Sequence, residues 1–285
     1  MFNLKLNYHK LIFFQYFCSI KINPKMKILF SKYQGTGNDF VMLDNLNGQY
    51  NSLTISQIQQ ICNRRFGIGS DGLIKINSHK SSDFEVEYFN SDGSKSFCGN
   101  GARCSIAFAE TLGVNVLNTT FLGIDGLHNA SKNEDVISLE MGNVSDVKRV
   151  NEDYVIYTGS PHYIRFVKSI NELDVVQFGK DIRYSDDFKK EGINVNLVEV
   201  INGKGLIVNT YERGVEDETL SCGTGVTACV LAYAHQTNLI GNHKVSVKVK
   251  GGDLQVSFFQ ESLGVFKNIY LIGPGEFVFS GEINV

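Results

Sequence analysis

The chain has no surplus of basic residues: 27 Lys and Arg stand against 30 Asp and Glu, for a formal net charge of −3. That balance gives no electrostatic reason to expect a nucleic-acid partner. It also has no apolar run long enough to span a membrane, so no membrane association is expected. The one short apolar run near the start, residues 11–18, is flanked by lysines in the manner of a signal peptide, yet no small-x-small cleavage site follows it. Strand-like alternation begins only after Met26, and residues 1–25 are expected to be a dispensable extension. The six cysteines (18, 62, 98, 104, 222 and 229) form no CxxC pair of the zinc-binding kind and are too few to staple 285 residues. A reducing cytoplasm is the plain reading, with neither metal nor cofactor. Gly35-Thr36-Gly37-Asn38 lacks the strand–turn–helix setting of a dinucleotide site.

What remains is an ordinary globular composition, 42% hydrophobic and 20% charged, with one motif that occurs twice. Cys98-Gly99-Asn100-Gly101 and Cys222-Gly223-Thr224-Gly225 each precede a run of small and apolar residues, 102–112 and 226–234, that reads as a helix. Neither run has a polar face of any width, so each is expected to be the buried central helix of its own domain. Each thiol then sits where a helix begins. Free N–H groups and the positive end of the helix dipole favour a thiolate there and also bind a carboxylate, so thiolates near neutral pH are expected. Cys104 and Cys229 fall inside the helices and Cys62 on an apolar face; all three read as core.

Residues 28–33 and a stretch ending at 44 read as strands. Thr54 with Gln57 forms a capping box for a helix that carries Ile55, Ile58, Ile61 and Cys62 on one face and ends near Gly67. Strands follow at 72–77 and 84–88, then a turn at Asn90-Ser91-Asp92-Gly93, the first Cys helix, and strands at 118–121 and 136–140. The second half repeats this order at an offset of 122 to 124 residues, with strands at 193–200, 204–211, 244–250, 254–259, 268–272 and 277–279. One period of this length, occurring twice, predicts a duplicated domain. The fold class is α+β, in two similar domains, each a curved β-sheet or barrel around a buried central helix. The expected division is an extension at 1–25, domains at 26–142 and 143–275, and a last strand at 276–285 able to pair back with the first domain.

Related halves packed about a pseudo-two-fold axis would turn both helix N-termini toward one cleft and bring the thiols face to face. A thiolate on one side of a small molecule and a thiol on the other supply a base and an acid to opposite faces of one carbon, the requirement for inverting a stereocentre. Amides at the helix N-termini would stabilise the carbanion through its carboxylate. The plain alternative is that both cysteines are buried small hydrophobes, which does not explain why both precede a glycine-flanked turn.

The residues 30–40 (FSKYQGTGNDF), 88–103 (YFNSDGSKSFCGNGAR), 159–162 (GSPH), 193–200 (INVNLVEV) and 211–225 (YERGVEDETLSCGTG) together resemble the diaminopimelate epimerase family. Its members interconvert LL- and meso-diaminopimelate without a cofactor, on the bacterial route to lysine and peptidoglycan. The resemblance implies that Cys98 and Cys222 are the acid/base pair, with His162 and Glu212 beside them. It implies substrate contacts from Asn38, Asn90, Gly99, Asn100, Asn194, Glu212, Arg213, Gly223 and Thr224, and a cytoplasmic homodimer acting on a small amino acid. Asn90 reads equally well as a turn residue, whereas the Arg213 guanidinium suits a distal carboxylate. Ser160 and Gly72 depart from the family's commonest pattern, which has Asn and Gln there. The nearest alternatives are a proline or hydroxyproline racemase, which gives Arg213 no task, and a dithiol redox or ligand-binding protein of the same fold.

Overall fold

The computed structural model describes residues 26–201 and 205–285; the expected N-terminal extension lies outside the described residues. Apolar residues that alternate with polar ones, or run continuously where both faces are covered, form β1 (Lys27–Gly35), β2 (Asn38–Asn45), β3 (Gly72–Asn77), β4 (Phe84–Asn90), β5 (Thr119–Gly123), β6 (Gly126–Asn133) and β7 (Val136–Met141) in the first half. Helix α1 (Ile55–Cys62) carries the chain from β2 to its parallel neighbour β3, and helix α2 (Gly99–Thr111) from β4 to its parallel neighbour β5. The second half repeats the plan. After β8 (Val147–Val150), which follows β7 out of the first half, it holds β9 (Asp153–Tyr157), β10 (Pro161–Val167), α3 (Val175–Arg183), β11 (Asn194–Ile201), β12 (Gly205–Glu212) and the short β13 (Asp217–Thr219). It continues through α4 (Gly223–Thr237), β14 (Gly241–Val249), β15 (Gly252–Ser262), β16 (Val265–Gly273) and β17 (Glu276–Asn284). Here α3 joins the parallel pair β10 and β11, and α4 the parallel pair β12 and β14.

The two halves meet at one antiparallel seam, β7 against β16, where Leu139 lies opposite Leu271. Each half is then closed by the strand that follows the other half's last strand: β17 lies antiparallel on β1, and β8 on β9. The expected α+β class of two repeated domains, each a curved sheet around a helix, is what the structure has. Helices α2 and α4 are buried through nearly their whole length, in one continuous core with the inner faces of both sheets. Replacing Phe108 in that core by Ala removes contacts worth about 3–5 kcal/mol.

The outer helices cover the opposite sheet faces. Helix α1 packs Ile58, Ile61 and Cys62 on β1, β2 and β3, while α3 and its neighbours cover Tyr163, Val195, Leu197 and Tyr211. The Thr54–Gln57 capping box is present, with Thr54 N–H donating to Gln57 Oε1 at 3.0 Å. Two details correct the sequence reading. Ile55 is 57% exposed: a side chain at the first helical position leans back toward the N-terminus, here toward Gly93 in the turn after β4. The helix also stops at Cys62 and not near Gly67, because the Asn63 side chain accepts the N–H groups of Arg65 and Phe66 and so offers those amides a turn in place of another helical round.

Candidate active site

Cys98 and Cys222 are the N-cap residues of α2 and α4, both with extended backbone (φ −135°, ψ 115° and φ −124°, ψ 106°). The first turns of the two helices touch. A β-carbon on Gly223 would stand 2.7 Å from Leu271 Cδ2, 3.3 Å from Asn100 Oδ1 and 3.8 Å from Gly99 Cα, so a larger residue would have to displace Leu271. Asn100 Nδ2 crosses between the halves to donate to Ser221 O at 3.0 Å. Leu271, at the seam, lies beneath both Gly99 and Gly223. The duplication therefore brings two helix N-termini, each with unsatisfied N–H groups, to one place.

Around Cys98 the polar shell comes from the β1–β2 turn. The thiol donates to Asn38 Oδ1 at 3.5 Å and its sulfur accepts the Gly101 N–H at 3.4 Å. Asn38 Oδ1 also accepts from Asn100 Nδ2 at 3.3 Å, while Asn38 Nδ2 donates to Asp71 Oδ2 at 2.7 Å, which fixes which way the amide points. Asp71 is held in turn by Arg64, which bridges it to Asp39. Asp71 escaped the sequence reading because Ser70-Asp71-Gly72 looks like a turn.

Around Cys222 the shell is different. Its sulfur lies 3.5 Å from Thr224 Oγ1, which lies 2.9 Å from His162 Nε2, and His162 Nδ1 faces Asn196 Nδ2 at 3.2 Å. An amide NH₂ only donates, so Nδ1 accepts, Nε2 carries the proton and donates to Thr224, and the threonine hydroxyl is free to donate to the sulfur. Asn196 was also missed, although strand alternation puts it on the same face as Asn194. Gly225 is needed here, since a β-carbon would meet Asn196 Oδ1 at 2.7 Å.

Glu212 ends β12 within electrostatic reach of both thiols. Next to it, Arg213 N–H donates to Asn194 Oδ1 at 3.0 Å and Arg213 Nη1 to Glu191 O at 2.9 Å, and the residue is exposed. Asn194 Nδ2 donates to Ser160 Oγ at 2.8 Å, so the hydroxyl in place of the family's Asn still joins this network. Asn90 has a fully engaged amide: Oδ1 accepts from Tyr88 OH at 2.8 Å, and Nδ2 donates to Ser94 Oγ at 3.0 Å and Ser96 Oγ at 3.2 Å. Gly72 has no room for a side chain, because a β-carbon would lie 2.4 Å from the Tyr88 ring. Among the described residues no cluster of His, Cys, Asp and Glu would hold a metal.

The charge state differs from the expectation of ready thiolates. Burial pushes the Cys98 thiol up to about 11, against the Gly101 N–H that favours its ion, and Glu212 raises it further. Burial, then Glu212, pushes Cys222 higher still, against the Thr224 hydroxyl. Helix N-termini favour the ion, but desolvation wins. Glu212 itself is raised, by burial first. His162, fully buried, is held down to about 3 by desolvation and then by Arg213, so it is neutral.

This duplicated fold is shared with solved structures that carry different activities. A phenazine biosynthesis protein of the PhzF family from Bacillus anthracis superposes with a TM-score of 0.69 at 15% identity, covering 91% of this chain and 100% of that one. A hydroxyproline epimerase from Agrobacterium vitis gives 0.67 at 12% identity, over 93% of each chain. These define the class, the two-lobed α+β fold of PhzF-like and proline racemase-like proteins. Sequence narrows it: the diaminopimelate epimerase family profile matches residues 30–147 and 154–278. The diaminopimelate epimerase of Flavobacterium psychrophilum is 48% identical over 255 residues, covering 88% of this chain and 98% of the relative, and that of Chlorobaculum tepidum 36% over 260 residues (88% and 99%). The chain belongs to the diaminopimelate epimerase family, and it is an isomerase.

Proposed function

We propose that this enzyme interconverts LL- and meso-diaminopimelate by a two-thiol route, with Cys98 and Cys222 serving opposite faces of the reacting carbon. The observation that carries the reading is that both thiols are N-caps of core helices whose first turns touch. The α-carboxylate docks on the N–H groups of Gly99, Asn100, Gly223 and Thr224, where two helix dipoles favour the negative charge that grows as the α-proton leaves. Arg213 takes the distal carboxylate, beside Asn194. Asn38 and Asn90 complete the wall on the Cys98 side. Glu212 and the two thiols repel one another's negative charge, so together they titrate as a set in which one ion is favoured over two. A thiolate then removes the α-proton, and the opposite thiol returns one to the other face. His162, neutral, orients Thr224 toward Cys222 and contributes no charge.

The reading extends to a cytoplasmic homodimer. A reducing compartment keeps the five described cysteines free. Among the described residues strand β17 pairs with β1 alone, and it exposes Phe277, Val278 and Phe279, an apolar edge that a second copy would cover.

The test is incubation with LL-diaminopimelate, meso-diaminopimelate and L-proline in deuterated water, following label and chirality. Inversion of diaminopimelate, with deuterium at the inverted carbon from the first turnover and little label in recovered substrate, is expected. Inversion of L-proline alone would replace the proposed substrate, and early product carrying mostly protium would exclude the two-thiol route.

A further inference from the structure

Five residues beyond Cys98 on α2 lies a side chain that the reaction scheme leaves unused. Arg103 is fully buried (0% exposed). Its Nε donates to Pro274 O at 3.1 Å and its Nη2 to Thr36 Oγ1 at 3.3 Å, while Nη1 has no partner. Among the described residues it forms no ion pair to a carboxylate, and the groups that bear on its charge are the thiols of Cys104 and Cys98. A buried guanidinium without a counter-ion is costly, and such groups are ordinarily paired. The duplicated helix has nothing of the kind, since at the offset of the two cysteines Arg103 corresponds to Thr227, whose hydroxyl donates to Gly223 O. The contacts of Arg103 also run between the halves. Thr36, held at φ 51°, places its hydroxyl 2.7 Å from Ser221 Oγ, beside Cys222, and Pro274 leads the chain from β16 back to β17.

We infer that Arg103 is a positioning residue for the thiol pair: an uncompensated cation buried on the helix that Cys98 caps, which favours the thiolate of Cys98 over that of Cys222 and, through Thr36, ties the two caps together. The other titratable groups facing Cys98 are Glu212 from β12, Tyr88 from β4, Cys222 from α4 and Cys104 from its own helix. None of these brings a positive charge. Glu212 raises both thiols. The counter-ion that Arg103 lacks in the resting thiol is supplied when Cys98 loses its proton. The smaller upward push on Cys98 than on Cys222 agrees with this bias.

The inference rests on the two-thiol reading for its meaning in turnover, but its test needs no substrate. Wild type, Arg103→Met, Arg103→Gln and Arg103→Lys are alkylated with iodoacetamide between pH 7 and 10, and the rate at each cysteine is read by peptide mapping. Methionine fills the buried site without charge, glutamine is the neutral variant that keeps a donor for Pro274 and Thr36, and thermal melts confirm folding. In the neutral variants Cys98 is expected to react about tenfold more slowly at pH 8, the change that one unit in thiol pKa produces, with Cys222 within about twofold and the lysine variant near wild type. Turnover should fall with it, the acid-side limb of its pH profile, along which activity rises as Cys98 ionises, displaced to higher pH. A folded neutral variant whose Cys98 reacts as in wild type overturns the assignment, as does an equal slowing of both thiols, which marks loosened packing. Wild-type inactivity toward diaminopimelate would sink the proposed substrate while leaving the alkylation result to decide on Arg103.

Discussion

The two halves of this molecule are copies in topology and strangers in chemistry. Both place a cysteine at the cap of a buried helix that crosses between parallel strands. One cysteine is surrounded by Asn38, with Asp71 behind it and a buried arginine beneath; the other by a threonine hydroxyl, a neutral imidazole and an amide. On the proposed two-thiol route, duplication supplies the mirrored positions of acid and base, and divergence of the surrounding shells sets how readily each thiol gives up a proton. That route would use both: similar geometry on the two faces of a carbon, with thiols whose ionisation is unequal in the empty enzyme.

The comparison breaks most completely at the thiols. Cys98→Ala and Cys222→Ala should each lose inversion by at least about 10³-fold, within the range for removing a positioned acid or base. Each retains one competent face, so exchange of the α-proton with deuterated solvent should outlast inversion in at least one variant. Near-normal inversion in either variant would refute the pairing. Arg213→Ala comes next, with a loss of about 2–4 kcal/mol, roughly 30- to 700-fold in kcat/KM on diaminopimelate, typical of a lost charge-assisted contact. Unchanged kinetics would put the distal site elsewhere.

A smaller effect separates the shells by pH. The folded-state pKa of His162, about 3, lies below the value of about 6.5 in the unfolded chain. Between those values the unfolded chain binds a proton that the folded chain refuses, so stability falls as pH drops through 6.5, by about 2 kcal/mol at pH 5. Denaturant midpoints for wild type and His162→Gln should therefore draw together between pH 7 and pH 5. A constant gap would mean the imidazole is not buried neutral. The smallest effect is at Thr224→Val, which removes the hydroxyl between His162 and Cys222 at a cost of about 0.5–1.5 kcal/mol. It should slow alkylation of Cys222 and spare Cys98, and equal slowing of both would count against separate shells.

Much of this was legible in the sequence because it is local. The Cys-Gly-x-Gly repeats, the all-apolar runs behind them and the Thr54–Gln57 box depend on neighbours within one helical turn. Strand β6 was not seen, since Gly126–Asn133 reads as a polar loop and becomes a strand through pairing with β5 and β7. Strand β10 begins with Pro161, and α3 is short, so neither announces itself. Asn196, Asp71 and Arg103 went unremarked because their partners are distant in sequence; Arg103 meets Pro274, 171 residues away. The thiols' raised pKa values were out of reach for the same reason, since desolvation is a property of everything packed around a group and a helix N-terminus is only one contributor.

The exchange of closing strands has a consequence for how such an enzyme can arise. Strand β8 leaves the first half to lie on β9, and β17 leaves the second to lie on β1. A chain carrying one half alone, with its final strand donated to a second copy, would form a domain-swapped dimer of the same topology, each copy presenting one cysteine to a shared cleft. Joining the two copies end to end leaves that arrangement intact and frees each cysteine's surroundings to mutate alone. The asymmetry between the caps is thus open only to the fused chain, because in the dimer any residue placed behind one thiol would stand behind both.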